Sequence, residues 1–345
     1  MREKSNMVMC TFHDADINAL LKIKGKTGYG VSLAIAKGDG LETYCSGSGR
    51  FGQDFPVNRD MLFQAASISK PMFAMTLLRY VDKGIIDLDS DISGVVSDFV
   101  KKGPLSFSAL LSHTAGMNVH WFPGYRADHA PMTLEDVVAG RGNRPRICRI
   151  KPYGKQYMYS GGGITLAELA FTRIAGTTLR EAFQKEIAEP LGLKRTGYFQ
   201  PLDEDLVATA AFAGRCAYRE DPAHGYHYYP EHAAAGLWTT PTELTKLGLA
   251  LSRSVREGGL LKKETARRMV TPVMSNYGLC IARDNHIPNQ VCHTGGNEGF
   301  IAYWTLSLTE DLCAAVMFNG SNRLNDAVAR PLFDFVDRLI VREKA

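Results

Sequence analysis

The spacing of apolar residues along this chain separates helical segments from strands. After Pro71 the sequence MFAMTLLRYVDKG keeps its apolar residues on one helical face and stops at Gly84, a typical residue for the end of a helix. Residues 14–25 are also predicted to be helical. Between the two, GVSLAIAKGDGLETYCSG predicts a β-hairpin with its turn at Lys37–Gly40. Strand pairing is therefore expected to begin close to the N-terminus.

The middle of the chain, roughly residues 87–270, is predicted to be mainly helical. Its segments TLEDVVAG, ITLAELAFTRIAG, TLREAFQKEIAEPLG and TPTELTKLGLALSRSV are separated by glycine and proline. Several begin with a threonine and carry an acidic residue in the first turn. The hydroxyl can cap free backbone N–H groups, and the acidic residue complements the positive end of the helix dipole.

The end of the chain returns to strands. QVCHTGG, FIAYWTLSLTE and LCAAVMFNG predict consecutive antiparallel strands, and NDAVARPLFDFVDRLIV predicts a closing helix. We therefore predict an α+β fold in which residues 1–86 and 271–345 build one antiparallel sheet from both termini, flanked by helices. Residues 87–270 are expected to form an inserted, mainly helical lobe, with the active site in the cleft between the lobes.

Composition and charge exclude several function classes. The chain has 345 residues, of which 45% are hydrophobic and 22% charged, as in a soluble globular protein. The net charge of +4 is spread along the chain, so we expect no nucleic-acid partner. No stretch approaches the roughly 20 apolar residues that span a bilayer. The N-terminal apolar run is too short for a signal peptide, so we expect a cytoplasmic protein, or a periplasmic or secreted one if a signal was removed.

The cysteines predict neither a disulfide framework nor a zinc site. There are seven, an odd number, and no two form a C-x-x-C pair. Reduced, mostly buried thiols are the expected state.

The first candidate for chemistry is QAASISKPMFAM, residues 64–75, where Ser67 and Lys70 are three positions apart at the start of a helix. That spacing puts both side chains on one helical face, where a lysine with a lowered pKa could accept the serine proton. Taken alone, the pair is better explained by a capping serine beside a solvated lysine.

Two further motifs change this interpretation. Tyr159, Ser160 and Gly161 follow in YMYSGGG, and CHTGGNEGF then supplies His293-Thr294-Gly295. With LLSHTAGM at 110–117 and AAAGLWTTPTEL at 233–244, this order resembles the serine β-lactamase and penicillin-binding-protein superfamily. The resemblance is nearest to the class C branch and its D,D-peptidase, D-aminopeptidase and carboxylesterase relatives, and it runs from about residue 15 to about 340. It implies a β-lactamase/transpeptidase-like fold.

The resemblance also implies roles for individual residues. Ser67 would be the acylated nucleophile, Lys70 its proton partner, and Tyr159 a proton shuttle, acting either as phenolate or through Lys70. The backbone N–H groups of Ser67 and Gly296 would form the oxyanion hole. Tyr157, two residues before the Tyr-Ser pair, is assigned to the core.

The resemblance also implies substrate contacts from residues within the two later motifs, and two of them depart from the class C pattern. Gly161 stands where the lactamases usually carry an asparagine that contacts the substrate's acyl amide. His293 stands where they carry a lysine facing the β-lactam carboxylate, and it is followed by Thr294 and Gly295. A histidine is mostly neutral near pH 7, so we expect weak β-lactam turnover that rises toward pH 6 as imidazolium forms.

Other motifs carry less chemistry. GSGRFG at 47–52 fits G-x-G-x-x-G but is not followed by a helix, so we interpret it as a turn. His113 is expected to be buried and hydrogen-bonded. Three histidines in a loop lack metal-site spacing, and four arginines form either a solvated face or part of the cleft wall. These residues are His224, His227 and His232, and Arg141, Arg144, Arg146 and Arg149.

The sequence thus predicts a serine hydrolase that forms an acyl-enzyme with an ester or amide, of the carboxylesterase or D-amino-acid peptidase type. Its substrate would be a small molecule or short peptide, with no metal or cofactor, and no oligomeric state is indicated. One alternative is a true class C-like β-lactamase. A second is a non-catalytic penicillin-binding or sensor module, although such a module has no need to keep Ser67, Lys70 and Tyr159 together.

Overall fold

A computed structural model describes residues 29–50, 53–100, 103–126, 128–213, 225–320 and 330–341, with side chains of the last helix as far as residue 337. The helix expected at residues 14–25 lies outside these ranges. Within them, no helix combines the length and the apolar character that crossing a membrane requires.

A six-stranded antiparallel sheet joins the two ends of the chain, as predicted. Its strand order is β2-β1-β10-β9-β8-β7, and β1 pairs with β10 from Val31 opposite Phe318 to Lys37 opposite Leu312. The strands are β1 Val31–Lys37, β2 Gly40–Ser46, β7 Ala282–Arg283, β8 Gln290–Asn297, β9 Phe300–Ser307 and β10 Leu312–Phe318. Short strands β3 Phe63–Gln64 and β6 Trp238–Thr239 pair with each other, as do β4 Tyr125–Arg126 and β5 His227–Tyr228.

The predicted hairpin is confirmed: β1 and β2 are antiparallel, with the turn between Lys37 and Gly40. Strands β9 and β10 are buried at every residue. Alternate residues face opposite sides of a strand, so continuous burial requires helices on both sides of the sheet.

The helices are α1 Ser69–Asp82, α2 Phe107–Leu111, α3 Leu134–Ala139, α4 Gly161–Ala175, α5 Leu179–Phe183, α6 Glu189–Leu191, α7 Glu204–Val207, α8 His232–Ala235, α9 Pro241–Glu257, α10 Lys263–Val270 and α11 Arg330–Val341. Three of them begin as predicted, since the side chains of Thr133, Thr178 and Thr240 each accept a hydrogen bond from a first-turn N–H. The segment predicted as one helix after Thr178 is interrupted by a π turn at Gln184–Ala188.

Helices cover both faces of the sheet. Helix α9 packs on β10 and β1, whereas α11 packs on β10 and β9. Since α9 lies on the sheet, we propose that the inserted helical lobe ends near residue 240 and not at residue 270.

The segment that carries Ser67 lies where the helices meet the sheet. A 3-10 turn, Ala66–Ile68, connects β3 with α1 and packs against β8 and α8. Residues of α1 from Ser69 to Leu78 are all buried. Ser67 therefore starts a helix enclosed by the core and lies beside the sheet.

Candidate active site

The turn that carries Ser67 is held in a strained conformation. Ala66 has φ of +50°, a left-handed value that costs a residue with a Cβ on the order of 1–3 kcal/mol. The Ser69 hydroxyl donates to the carbonyl oxygen of Ala66 at 2.5 Å and accepts from the N–H of Leu237 at 2.9 Å. These bonds hold the turn so that Ser67 is half-buried between two fully buried neighbours.

Lys70 lies directly against the serine. Its Nζ is 2.9 Å from Ser67 Oγ and 2.7 Å from the carbonyl oxygen of Ala234 in α8. The side chain is almost completely buried, and this loss of solvation lowers the pKa of Lys70 from 10.5 to about 7. Near neutral pH a large fraction of the amine is therefore unprotonated and able to accept the serine proton.

Tyr159 completes the group expected from the sequence. Lys70 Nζ is 5.0 Å from the centre of its ring, and its hydroxyl hydrogen-bonds with the Ser67 side chain. Burial raises the pKa of Tyr159, so its phenol stays protonated at neutral pH. The structure therefore brings Ser67, Lys70 and Tyr159 together.

Strand β8 approaches Ser67 so closely that it needs a glycine. A Cβ on Gly295 would meet the carbonyl oxygen of Ala65, just before the turn that carries Ser67. This contact brings Gly296 into the wall of the same cavity as Ser67, beside Thr294. An oxyanion hole between the N–H groups of Ser67 and Gly296 requires this proximity.

The expectation that His293 becomes an imidazolium near pH 6 is wrong. Burial, with the nearby Lys70, lowers the pKa of His293 to about 3. Its Nδ1 is 2.6 Å from the carbonyl oxygen of Thr294, and its Nε2 is 2.9 Å from the Tyr277 hydroxyl. Because the carbonyl can only accept, Nδ1 carries the proton and Nε2 accepts from Tyr277. His293 lines the cavity as a neutral ring that offers no positive charge.

Gly161 opens α4 at the cavity wall. Its N–H donates to the carbonyl oxygen of His120 at 3.0 Å, and a Cβ at this position would lie 3.2 Å from the Phe122 ring. A larger residue here would therefore press on the segment 120–122. The ring of Phe122 therefore borders the space that a side chain at residue 161 would enter.

Tyr157 does not belong to the core. It is half-buried and lines the cavity, with its ring centre 5.3 Å from that of Tyr277. Its ring packs against Tyr277, as a core residue would, but it also borders the cavity. Segments distant in sequence form that cavity, so the local sequence around Tyr157 did not indicate it.

The cavity around these residues measures about 940 Å³. The sequence analysis did not single out several of the lining residues, although the aromatic run at 120–122 just after LLSHTAGM was a usable signal. These residues include His120, Trp121, Phe122, Asn276, Tyr277 and Glu298.

Helix α8, which supplies the carbonyl oxygen that binds Lys70, is held by a buried carboxyl group. Glu168 of α4 accepts from the N–H of Ala233 at 2.8 Å, one residue before Ala234, and its other oxygen is 3.5 Å from His232 Nδ1. Burial raises the pKa of Glu168 and lowers that of His232 to about 4. Glu168 thus fixes the one-turn helix α8 beneath the lysine.

The histidine group of the sequence is dispersed. His232 starts α8, Nδ1 of His227 is 2.9 Å from the carbonyl oxygen of Pro123, and His224 lies outside the described residues. Over the described ranges, no three or more His, Cys, Asp or Glu side chains are placed to hold a metal ion. His113 is buried as expected, and its Nδ1 accepts from the N–H of Ser160 at 3.2 Å.

The arginine run stabilises loops. Arg146 and Arg149 donate to the carbonyl oxygens of Phe99 and Pro104 at 2.8 and 2.5 Å. Arg144 covers the ring of Trp121. None of the four arginines is among the cavity-lining residues that the structure describes. The segment 47–50 is irregular and no helix follows it before Ala66, which agrees with a turn, although residues 51 and 52 lie outside the described ranges.

Comparisons with known proteins agree with this arrangement. The family model described as Beta-lactamase matches residues 22–336. Lovastatin esterase of Penicillium rubens is 26% identical over 46% of this chain and 44% of its own length. The D-alanyl-D-alanine-carboxypeptidase/endopeptidase AmpH of Escherichia coli is 24% identical over 88% of this chain and 85% of its own.

Among solved structures, D-amino acid amidase from Ochrobactrum anthropi, complexed with L-phenylalanine amide, superposes with a TM-score of 0.79. It is 21% identical and covers 96% of this chain and 99% of its own, which shows the fold and confirms the predicted class. The chain spans less than half the length of some curated relatives, with 37% and 44% covered in two of them.

Proposed function

Because the chain belongs to the β-lactamase family, we propose that it is a serine hydrolase that forms an acyl-enzyme on Ser67 from an ester or amide. One observation carries this proposal: Ser67 Oγ is 2.9 Å from a buried lysine whose pKa is lowered to about 7. A serine hydroxyl becomes an effective nucleophile when a neighbouring base removes its proton.

In the acylation step, neutral Lys70 takes the proton of Ser67 as Oγ attacks the substrate carbonyl carbon. The oxygen gains a negative charge, which the N–H groups of Ser67 and Gly296 stabilise. When the bond to the leaving group breaks, the Tyr159 phenol protonates that group and Lys70 returns a proton to Tyr159. Water then attacks the ester on Ser67 with the same groups reversing their roles, which releases the acid.

The charges around the cavity favour substrates without a carboxylate next to the scissile bond. Among the lining residues that the structure describes, Lys70 is partly neutral, His293 is neutral and Glu298 supplies no cation. A permanent cation for a β-lactam or C-terminal carboxylate is absent from that set. Losing one charge-assisted hydrogen bond weakens binding by roughly 1.5–3 kcal/mol, or about 10- to 100-fold. Esters and amides that carry no carboxylate next to the scissile bond are therefore the proposed substrates, and an esterase and an amidase are among the similar proteins.

The test compares p-nitrophenyl butyrate, D-phenylalanine amide and nitrocefin at pH 7. We expect kcat/KM for the ester or the amide to exceed that for nitrocefin by at least about tenfold. A higher value for nitrocefin would instead make this protein a β-lactamase. In a parallel measurement a fluorophosphonate probe should label wild type but not Ser67→Ala, and labelling of neither protein would favour a non-catalytic binding module.

A further inference from the structure

We propose that Trp121 and Phe122 form a binding subsite for an aromatic ring of the substrate, a specificity that rests on the proposed function. Both side chains line the cavity that contains Ser67. Trp121 is 54% exposed, whereas Phe122 is buried. A large apolar side chain left open to solvent inside a catalytic cavity is typical of a ligand contact.

The indole of Trp121 is held in place from one side. The Arg144 guanidinium lies 4.1 Å from its ring centre, and Arg144 Nε donates to the Trp121 carbonyl oxygen at 3.0 Å. A guanidinium stacked in this way stabilises an aromatic face and occupies it. The same side chain also lines the cavity.

The segment behind the indole is also fixed. Gly161 donates to the His120 carbonyl oxygen at 3.0 Å, and the Ser160 hydroxyl donates to that of Asn118 at 2.5 Å. Both bonds tie the segment 118–122 to the start of α4, next to Tyr159. A platform positioned before binding loses little conformational entropy when a ring stacks on it, so more of the contact energy contributes to affinity.

An aromatic ring should bind better here than a saturated ring of similar size. Both bury apolar area, but a stacked or edge-to-face aromatic pair adds a preference of about 2- to 12-fold. The ring could be carried by the acyl part or by the leaving part of the substrate, and different ligands distinguish these two sources.

The experiment measures dissociation constants by calorimetry in the Ser67→Ala background, where no turnover consumes the ligand. The ligands are phenylacetamide, with the ring on the acyl side, N-benzylacetamide, with the ring on the leaving side, and the two cyclohexyl analogues. We expect one aromatic amide to bind about 2- to 12-fold more tightly than its cyclohexyl analogue. Trp121→Ala should abolish this ratio, and Trp121→Phe should retain most of it.

The matched control is Ile150→Ala, which removes an apolar side chain that is 57% exposed and is not among the lining residues described. It should leave the ratio unchanged. Equal affinities for the aromatic and cyclohexyl amides, or a ratio that survives Trp121→Ala, would overturn the subsite. These outcomes do not depend on catalysis, because binding is measured in the Ser67→Ala background. Fluorophosphonate labelling of the wild-type protein tests the proposed function separately.

Discussion

The ionisation of Lys70 makes the sharpest prediction about catalysis. If neutral Lys70 is the base, kcat/KM should rise with pH through a midpoint near 7, the value to which burial lowers the pKa of this lysine. Below that pH the ammonium cannot accept the serine proton, so activity falls tenfold for each further pH unit. The sign is the opposite of that expected for a catalytic carboxylic acid, which must be protonated to act.

The magnitude follows from the shift. At pH 7 about half of a lysine with a pKa near 7 is neutral, compared with about 0.03% of one with a pKa near 10.5. The buried environment therefore increases the reactive fraction by a factor on the order of 10³. If water reached Lys70, its pKa would return toward 10.5 and this increase in the neutral fraction would be lost.

The assay is hydrolysis of p-nitrophenyl butyrate from pH 5 to 9, corrected for spontaneous hydrolysis, for wild type and Lys70→Arg. Arginine keeps the positive charge but cannot deprotonate, so we expect a loss of about 10²- to 10⁴-fold and no rise near pH 7. The control is Lys83→Arg, at the end of the same helix, where a surface lysine pairs with Glu186. A wild-type midpoint at pH 9 or above, or Lys70→Arg activity within tenfold of wild type, would refute this reasoning.

Substitutions at two further sites, Tyr159 and Glu168, test the residues around the lysine, each with its own control. Tyr159→Phe should lower kcat by at least about two powers of ten while the rise near pH 7 remains, because the protonated phenol transfers a proton and does not set that ionisation; loss of the rise would make Tyr159 the base. Tyr157→Phe is its control, and a larger loss there would exchange the two roles. Glu168→Leu removes the acceptor of the Ala233 N–H and should lower kcat about tenfold with KM nearly unchanged, whereas Glu168→Gln keeps an acceptor oxygen and should restore most of it. Its control is Glu186→Leu, which removes a buried carboxyl group paired with Arg79 and Lys83. This variant should reduce the melting temperature but not kcat. Equal kcat losses in the two leucine variants would mean that Glu168 has only a structural role.

The features that local sequence determined depend on neighbours within a few positions. The hairpin at Lys37–Gly40 needs only a turn between two apolar segments, and the caps at Thr133, Thr178 and Thr240 need only a hydroxyl one turn before a free N–H. The spacing of Ser67 and Lys70 follows from helical periodicity in the same way. The strand patterns near both ends of the chain predicted the sheet built by both termini, and the order of the three motifs carried the resemblance.

The tertiary structure decided the charges and the shape of the site. Lys70 is buried because α8 and Tyr159, about 90 to 165 residues away in the chain, cover it, and that burial lowers its pKa. His293 is neutral because burial and the nearby Lys70 lower its pKa, and the isolated H-T-G motif indicates neither of these causes. Tyr157 and Trp121 line the cavity because separate segments meet there. Ionisation and cavity shape depend on solvent exclusion by residues distant in sequence, so they are decided only when the chain has folded.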